Sequence, residues 1–468
     1  MRSELWERKE RRLDLLFSTQ MHLMMISMGC DKNLVDSEMM MGQLKEAGFT
    51  FTDDERQADV IVVNTCCFIG DAKEESINTL IEMGRLKQEG RLKCLIAAGC
   101  LAQRYHDEIA WELPEVDAVI GTMAIDRIVG AVQETVERQE GTGLYLENID
   151  RLVCGKDRVV STGGHFAYLK IAEGCDKNCT YCVIPKVRGR YRSVPMETLL
   201  KEANRLAEKG VKELILIAQE TTLYGTDLYG EKCLPKLIHE LGQIGGIQWI
   251  RLLYCYPEEI TEELAATFAS EKKLLHYIDL PIQHSSDEIL RRMGRHTTSA
   301  ELSGKIAMLR KAVPDICIRT TLITGFPGET EEDVNALADF IEEQRFDRLG
   351  VFAYSAEEGT AAAQFEGQIP EEEKENRRAY LMELQQQIAF EKAAAMVGKR
   401  LTVMVEGAVS DENAYVGRSY MDSPDIDGLV FIDTGAELMT GDFVRVRITG
   451  SYEYDLMGVL EDEDESAQ

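Results

Sequence analysis

The chain contains no apolar run of about 18 residues, the length that a bilayer-spanning helix requires. Its opening stretch, MRSELWERKERRLDLLF, is too charged to supply the apolar part of a signal peptide. Basic residues are scarce: 52 Lys and Arg stand against 82 Asp and Glu, a formal net charge of −30. Such a chain repels phosphate backbones in general and favours basic partners, so that only a local basic groove would hold nucleic acid. No repeat of solenoid type is present. These absences describe a cytoplasmic protein without a membrane segment. In a reducing compartment its twelve cysteines do not read as a disulfide framework; they point to metal or redox chemistry.

At 468 residues the chain exceeds one ordinary core, and two to four domains are expected. Residues 1–20 form an N-terminal extension, with Met21 as an alternative initiator. Residues 21–138 read as a small α/β domain. Its strands HLMMISM (22–28), ADVIVVN (58–64) and KCLIAA (93–98) have the continuous apolar character of a parallel sheet covered on both faces. Helices are predicted at 36–47, capped by Asp36 or Ser37 and stopped by Gly48, and at 71–88 and 123–138. Residues 139–165 lose periodicity and read as a linker or a peripheral excursion. From 166 to 396 six strand–helix units follow, with strands near 166–171, 213–218, 248–254, 276–280, 316–323 and 348–354; this order predicts a parallel barrel, complete or partial. A long charged helix at about 370–396 ends that domain. Residues 397–461 change to short strands (RLTVMVEG, GLVFID, DFVRVRITG, YEYDLMGVL) and predict a small all-β barrel. An acidic tail, 462–468, closes the chain.

Cys94, Cys233, Cys255 and Cys317 sit singly in or near apolar segments and read as small buried hydrophobes. Cys154 falls in the linker and receives no role. The remaining cysteines organise around a pentapeptide, GCDKN, that occurs at Gly29–Asn33 and again at Gly174–Asn178.

The second copy opens EGCDKNCTYCVIP, in which Cys175, Cys179 and Cys182 have the spacing C-x3-C-x2-C directly after an apolar strand. Three thiolates so close in sequence converge on one iron–sulfur cluster if the loop wraps it. A four-iron cluster then keeps one iron without a protein ligand, open to a small molecule. A zinc loop is the other reading, although structural zinc takes four ligands and no fourth lies nearby. The first copy has no neighbouring cysteine. Cys30, Cys66 and Cys100 each follow one of the three long strands, however, so they share the C-terminal end of one sheet. If those strands are neighbours, the thiols meet in the crevice where open α/β folds place ligands. Cys66 is preferred to Cys67 because its spacing after the strand parallels the other two.

The C-x3-C-x2-C loop, with LILIAQETTLYG (214–225), YIDLPIQHSSDEILRRMGR (277–295) and TTLITGFPGET (320–330), resembles the radical S-adenosylmethionine enzymes. GCDKNLVDSE, VNTCCFIGDAKEES and AAGCLAQRY narrow the resemblance to the methylthiotransferase family, which ends in a small β-barrel called TRAM; the likeness covers the chain from about residue 21. The family pattern has Pro where this chain has Asp31 and Gly where it has Cys67. The resemblance implies two [4Fe-4S] clusters, one on Cys175, Cys179 and Cys182 and an auxiliary one on Cys30, Cys66 and Cys100. It implies S-adenosyl-L-methionine against Tyr181, Gln219, Glu220, Pro281, Gln283, Gly325 and Pro327, with His284 and Gly328 lining the same cavity, and an electron donor such as flavodoxin or ferredoxin. The implied chemistry is radical sulfur insertion into a C–H bond that no side-chain base can deprotonate, with methyl transfer.

The family divides by substrate. One branch modifies an adenosine of transfer RNA; the other modifies the β-carbon of an aspartate in small-subunit ribosomal protein S-twelve. The form GC-x-KN-x-VDSE is that of the protein-modifying branch. Charge agrees: residues 401–468 carry three arginines against sixteen Asp and Glu, a net of −13, and a barrel that grips RNA should be basic. RNA binding is therefore not expected. The transfer-RNA enzyme is the second reading, and a non-catalytic iron–sulfur redox or binding protein the third.

Overall fold

A computed structural model describes residues 21–137, 141–410 and 413–461. The extension 1–20, the tail 462–468 and the last residue of the helix expected at 123–138 lie outside the described residues. Two compact units share the chain: Met1–Ser161, Glu173–Asp176 and Cys182–Glu202 form one, and Thr162–Ala172, Lys177–Tyr181 and Ala203–Gln468 the other.

The first unit is built on six parallel strands: β1 (His22–Ser27), β2 (Thr50–Phe51), β3 (Val60–Thr65), β4 (Cys94–Ala98), β5 (Ala118–Ile120) and β6 (Gly143–Tyr145). Their order is β2-β1-β3-β4-β5-β6. The three long strands expected from sequence are β1, β3 and β4, and they are neighbours. The chain winds outward from β1 to one side and from β3 to the other, so the sheet has a topological switch point between them. Strands β2, β5 and β6 are only two or three residues long, too short to show a pattern in sequence.

Two expectations are corrected here. The helix after β1 runs Asp31–Glu46, five residues earlier than its expected start, and its N-cap is Cys30. Asp36 and Ser37 do not cap it. Asp36 pairs with Arg188 at 2.6 Å, and the Ser37 hydroxyl donates to Ser27 Oγ and accepts from Asn64 Nδ2. The stop at Gly48 is as read, with φ +93° just past the last turn, a backbone state that glycine takes without strain. Second, residues 139–165 are not a bare linker. They contribute β6, and Arg158 forms a buried ion pair with Glu38 at 2.5 Å. The backbone of Asp157 crosses the helix at Gly42, where a Cβ would meet its carbonyl oxygen at 2.2 Å.

The second unit holds the expected partial barrel. Six parallel strands, β7 (Phe166–Lys170), β8 (Glu213–Ile217), β9 (Trp249–Leu252), β10 (Leu274–Asp279), β11 (Cys317–Thr324) and β12 (Arg348–Ala353), lie in consecutive order and stay open. The helix Glu371–Ala394 follows. A closed five-stranded barrel ends the unit, in the order β13 (Arg400–Ala408), β14 (Ala414–Arg418), β15 (Val430–Asp433), β17 (Asp455–Leu460) and β16 (Phe443–Tyr452). Strand β14, AYVGR, was not singled out in the sequence. Cys94, Cys233, Cys255 and Cys317 are buried, as read. No helix among the described residues is long and apolar enough to cross a membrane.

Charge, as well as apolar packing, joins the small barrel to the open sheet. Glu213, at the start of β8, is fully buried between Arg251 Nε at 2.7 Å and Arg418 Nη2 at 2.9 Å. Burial alone would raise its carboxyl, but the two guanidiniums outweigh that and hold it below the usual glutamate value. Arg418 also pairs with Glu406, which pairs with His165 at 2.6 Å. Trp249 and Phe443 meet edge to face beside this network, with centroids 4.8 Å apart. Glu213→Gln removes the carboxylate that lies between two buried cations. Urea denaturation should show a loss of about 3–5 kcal/mol, the usual penalty for breaking a buried pair by removing one partner.

Candidate functional site

The register of the first sheet sets Ser27, Asn64 and Ala98 abreast at the C-terminal ends of β1, β3 and β4. Cys30, Cys66 and Cys100 follow within two or three residues. Cys66 lies against the turn before Cys30: a Cβ on Gly29 would come within 2.7 Å of Cys66 Cβ and 2.8 Å of its sulfur. Gly29 has φ +85°, so both space and backbone require glycine there. Cys67 is fully buried in the apolar cluster with Leu80 and Met83.

Asn33, in the first turn of the helix, ties the strand ends together. Its Nδ2 donates to the carbonyls of Met28 (2.9 Å) and Thr65 (3.0 Å), and its own carbonyl accepts from Asn64 Nδ2 at 2.7 Å. Its Oδ1 accepts from the Cys100 thiol at 3.7 Å and from Arg188. Burial pushes the Cys66 thiol up, and pushes the Cys100 thiol up to about 12 against the pull of Arg188. Thiols in such a place become thiolates when a metal takes the proton's position. Among the described residues no three His, Cys, Asp or Glu side chains meet closely enough to hold one metal ion. Thiolates around a cluster stand at its corners, farther apart, and three strand ends abreast with a fixed cation against one sulfur suit such a group.

The other three cysteines share one loop after β7. Cys175 N–H donates to the Gly189 carbonyl at 3.2 Å, and the Cys182 sulfur accepts from Ile184 N–H at 3.5 Å. In the second unit the Cys179 sulfur and the Tyr256 hydroxyl are 2.9 Å apart. Asn178 takes φ +52°, so the chain turns sharply between the first two cysteines. Tyr256 is held from above by the Arg295 guanidinium, 4.0 Å from its ring centroid, and Arg295 is buried against Glu258 and the Pro281 carbonyl.

Six of the seven predicted cofactor residues lie just past the C-terminal end of a strand, and Tyr181 lies in the cysteine loop. Gln219 and Glu220 follow β8, Pro281 and Gln283 follow β10, and Gly325 and Pro327 follow β11. Tyr181 packs against Ile289, Met293, Phe326 and Tyr354. Gln283 has φ +71°, strain that the pairing of its N–H and carbonyl with β11 sustains. His284 is fully buried: its Nδ1 accepts from Ser286 N–H, and its Nε2 lies 3.4 Å from Glu329, which in turn accepts from Gly325 N–H. It supports the turn after β11. The sequence assigns no role to Asn33, Arg188, Tyr256 or Arg295, because most of their partners are distant along the chain.

Glu220 is fully buried. Its Oε1 accepts from the backbone and hydroxyl of Thr222, whereas its Oε2 has no hydrogen-bond partner among the described residues. Desolvation pushes the carboxyl up to about 7. An orphaned, buried carboxylate oxygen at a strand end fits the amino or hydroxyl groups of a cofactor such as S-adenosylmethionine.

Comparison with known proteins agrees along the chain. Uncharacterized protein family UPF0004 matches residues 22–121, the Radical SAM superfamily residues 169–341 and the TRAM domain residues 397–460. A ribosomal protein uS12 methylthiotransferase RimO of Lachnoclostridium phytofermentans is 56% identical over 444 residues, 94% of this chain and all of that one. The chain belongs to the RimO family of methylthiotransferases. A second relative of that name, from Thermoanaerobacter sp. (strain X514), is 49% identical over 92% of this chain and 98% of its own. Membership makes the chain a radical transferase that works with an iron–sulfur cluster and S-adenosylmethionine. Among solved structures, the radical S-adenosylmethionine methyltransferase TsrM of Kitasatospora setae has the same fold at 15% identity, with a TM-score of 0.52 over 71% of this chain and 75% of that one.

The Glu220 carboxyl gives a pH test. Its folded value, near 7, lies above the unfolded value of 4.5, so the fold binds this proton more tightly than the unfolded chain does. Stability from this group is present below the unfolded value and is lost as pH rises through the folded one. Glu220→Gln removes the titration. Urea midpoints of the cofactor-free protein at about pH 5 and about pH 8 should therefore differ more for the parent than for the variant.

Proposed function

We propose that the protein is the methylthiotransferase of ribosomal protein uS12, adding a methylthio group to the β-carbon of an aspartate. The observation that carries the reading is end-to-end likeness to relatives named for that reaction, 56% identical for the first of them. Cys175, Cys179 and Cys182 hold one [4Fe-4S] cluster; Cys30, Cys66 and Cys100 hold a second. Tyr181, Gln219, Glu220, Pro281, Gln283, Gly325 and Pro327 take S-adenosyl-L-methionine. When bound, these groups supply one-electron cleavage of the sulfonium, hydrogen-atom removal from the substrate carbon and delivery of the methylated sulfur.

The chain's own residues bind, orient and exclude. Glu220 Oε2 accepts a hydrogen bond from the cofactor, and the apolar surround of Tyr181 keeps water from one side of it. Tyr256 orients Cys179, and Arg295 orients Tyr256. A reductant of the flavodoxin or ferredoxin kind delivers the electron. The small barrel supports a protein substrate over RNA: of its four arginines, Arg418 is buried and paired, and the exposed Arg400, Arg445 and Arg447 stand against sixteen Asp and Glu between 401 and 468. A surface so acidic draws a basic ribosomal protein and repels phosphate.

Incubation of the reconstituted enzyme, cofactor and reductant with uS12 or with transfer RNA, followed by mass spectrometry, tests the substrate. A methylthio gain on uS12 is expected; the same gain on RNA alone overturns the reading. A combined Cys30→Ala, Cys66→Ala and Cys100→Ala variant should retain about half the iron, one cluster of two, and still cleave the cofactor while inserting no sulfur. Full iron content in that variant would show that these cysteines hold no cluster.

A further inference from the structure

Arg188 is 1% exposed, among the largest fully buried side chains of the protein, and follows Cys182 by six residues. Its short helix, Ile184–Arg188, belongs to the core of the first unit: Val187 packs with Leu95 and Leu101, and the Val187 carbonyl accepts from the Thr122 hydroxyl at 2.8 Å. The guanidinium uses each of its nitrogens. Nη1 binds Asp36 Oδ2 at 2.6 Å and Glu173 Oε2 at 3.3 Å; Nη2 binds Asn33 Oδ1; Nε points to the Cys100 sulfur at 3.4 Å.

Charge balance accounts for Nη1 alone. Two carboxylates already more than balance the single charge of the guanidinium, and a purely structural pair needs neither a sulfur nor an amide. The remaining nitrogens face the thiol site. Nε meets Cys100 directly, and Nη2 grips the Asn33 side chain, whose amide holds the carbonyls of Met28 and Thr65, two residues before Cys30 and one before Cys66. One planar fork thus reaches all three cysteine-bearing strand ends. Lysine, a point charge, has no such reach.

We propose that Arg188 is a positioning residue of the N-terminal thiol site: held by Asp36 and Glu173, it hydrogen-bonds the Cys100 sulfur, braces the Cys30 and Cys66 strand ends through Asn33, and sets the reduction potential of the cluster bound there. This rests on Cys30, Cys66 and Cys100 being the ligands of that cluster. A cationic hydrogen bond to a ligand sulfur withdraws charge and favours the reduced state. Arg188 also places a fixed charge for the N-terminal thiol site on the segment that leaves the C-x3-C-x2-C loop.

The test uses the full chain carrying Cys175→Ala, Cys179→Ala and Cys182→Ala, so that only the N-terminal cluster is reconstituted. Iron content and an EPR-monitored redox titration are read. Arg188→Gln should keep the iron and shift the midpoint to a more negative potential; Arg188→Lys should fall between; Asp36→Asn, which removes a neighbouring negative charge, should shift it the other way. If Arg188→Gln alone does not fold, Arg188→Gln combined with Asp36→Asn is compared with Asp36→Asn, and the same negative shift is expected. An intact cluster with an unmoved potential overturns the proposal. So does a shift of the same sign for Arg188→Gln and Asp36→Asn, the mark of a merely loosened fold. A parent without iron overturns the ligand assignment, and this proposal with it.

Discussion

The first thiol site depends on the register of three parallel strands. Ser27, Asn64 and Ala98 stand abreast, and each cysteine comes two or three residues later. A strand advances roughly 3.3 Å per residue, so a slip of two residues would carry one thiol about 6.6 Å from its place and a slip of one would turn alternate side chains over. The register is fixed because β3 is buried at every position and has no spare solvent face onto which to slide. It is pinned at its end by polar side chains: Asn33 bonded to two strand ends, Asn64 bonded back to the helix, and Ser37 on Ser27. The hydrophobic sheet sets where the cysteines arrive, and the buried amides set how the chain turns once they have arrived.

A consequence is that polar residues occupy positions where sequence patterns lead one to expect core or cap. Asp36 and Ser37 resemble a helix start because such residues usually serve as caps. Here the helix begins at Asp31, since Gly29 and Cys30 turn the chain directly from the strand, and Asp36 faces a guanidinium 152 residues away. Nothing local distinguishes the two cases. The long strands, the cysteine positions at their ends, the six strand–helix units and the terminal β-barrel were legible, because each is written in continuous runs or fixed spacings. The two- and three-residue strands were not, nor was AYVGR in the closed barrel, where Gly417 permits β13 to pass close by.

The repeated GCDKN shows the same limit from the other side. Both glycines take positive φ, at +85° and +79°, so the pentapeptide does encode a sharp exit from a strand. After that the copies part. In the first, Asp31–Asn33 opens a helix and Asn33 turns inward to bind strand ends; in the second, the chain stays in coil and Asn178 adopts φ +52°. Residues beyond the pentapeptide decide between them: LVDSE continues a helix that buries Asp36, Ser37 and Glu38 alongside Val35 and Met39, and CTYC keeps the loop open for further cysteines. VDSE, the form of the protein-modifying branch, is also architecture: Asp36 bonds Arg188, Ser37 bonds Ser27, and Glu38 bonds Arg158 and Ser161.

In the second unit, ion pairs do what apolar packing would do less selectively. Replacing a buried pair by fitted apolar side chains is often neutral or stabilising, so Glu213 between Arg251 and Arg418 is not explained by stability alone. The arrangement is directional. Arg251 also donates to the carbonyls of Tyr420 and Ser419, and Arg418 to that of Asp422, so the loop after β14 is oriented as well as attached. Farther along the same edge Tyr277 binds Asp427 and Arg348 binds Asp422, each at 2.7 Å. Three side chains of the open sheet, Arg251, Tyr277 and Arg348, thus grip one loop of the barrel, and Glu213 grips Arg418 just before it, by bonds that tolerate little rotation. An acidic barrel so fixed presents its charge in one orientation relative to the strands whose opposite ends carry Glu220 and Gln283. In the proposed reaction one carbon of a protein substrate must be brought to one reacting group; orientation then contributes more than affinity, and a directional ionic joint supplies it.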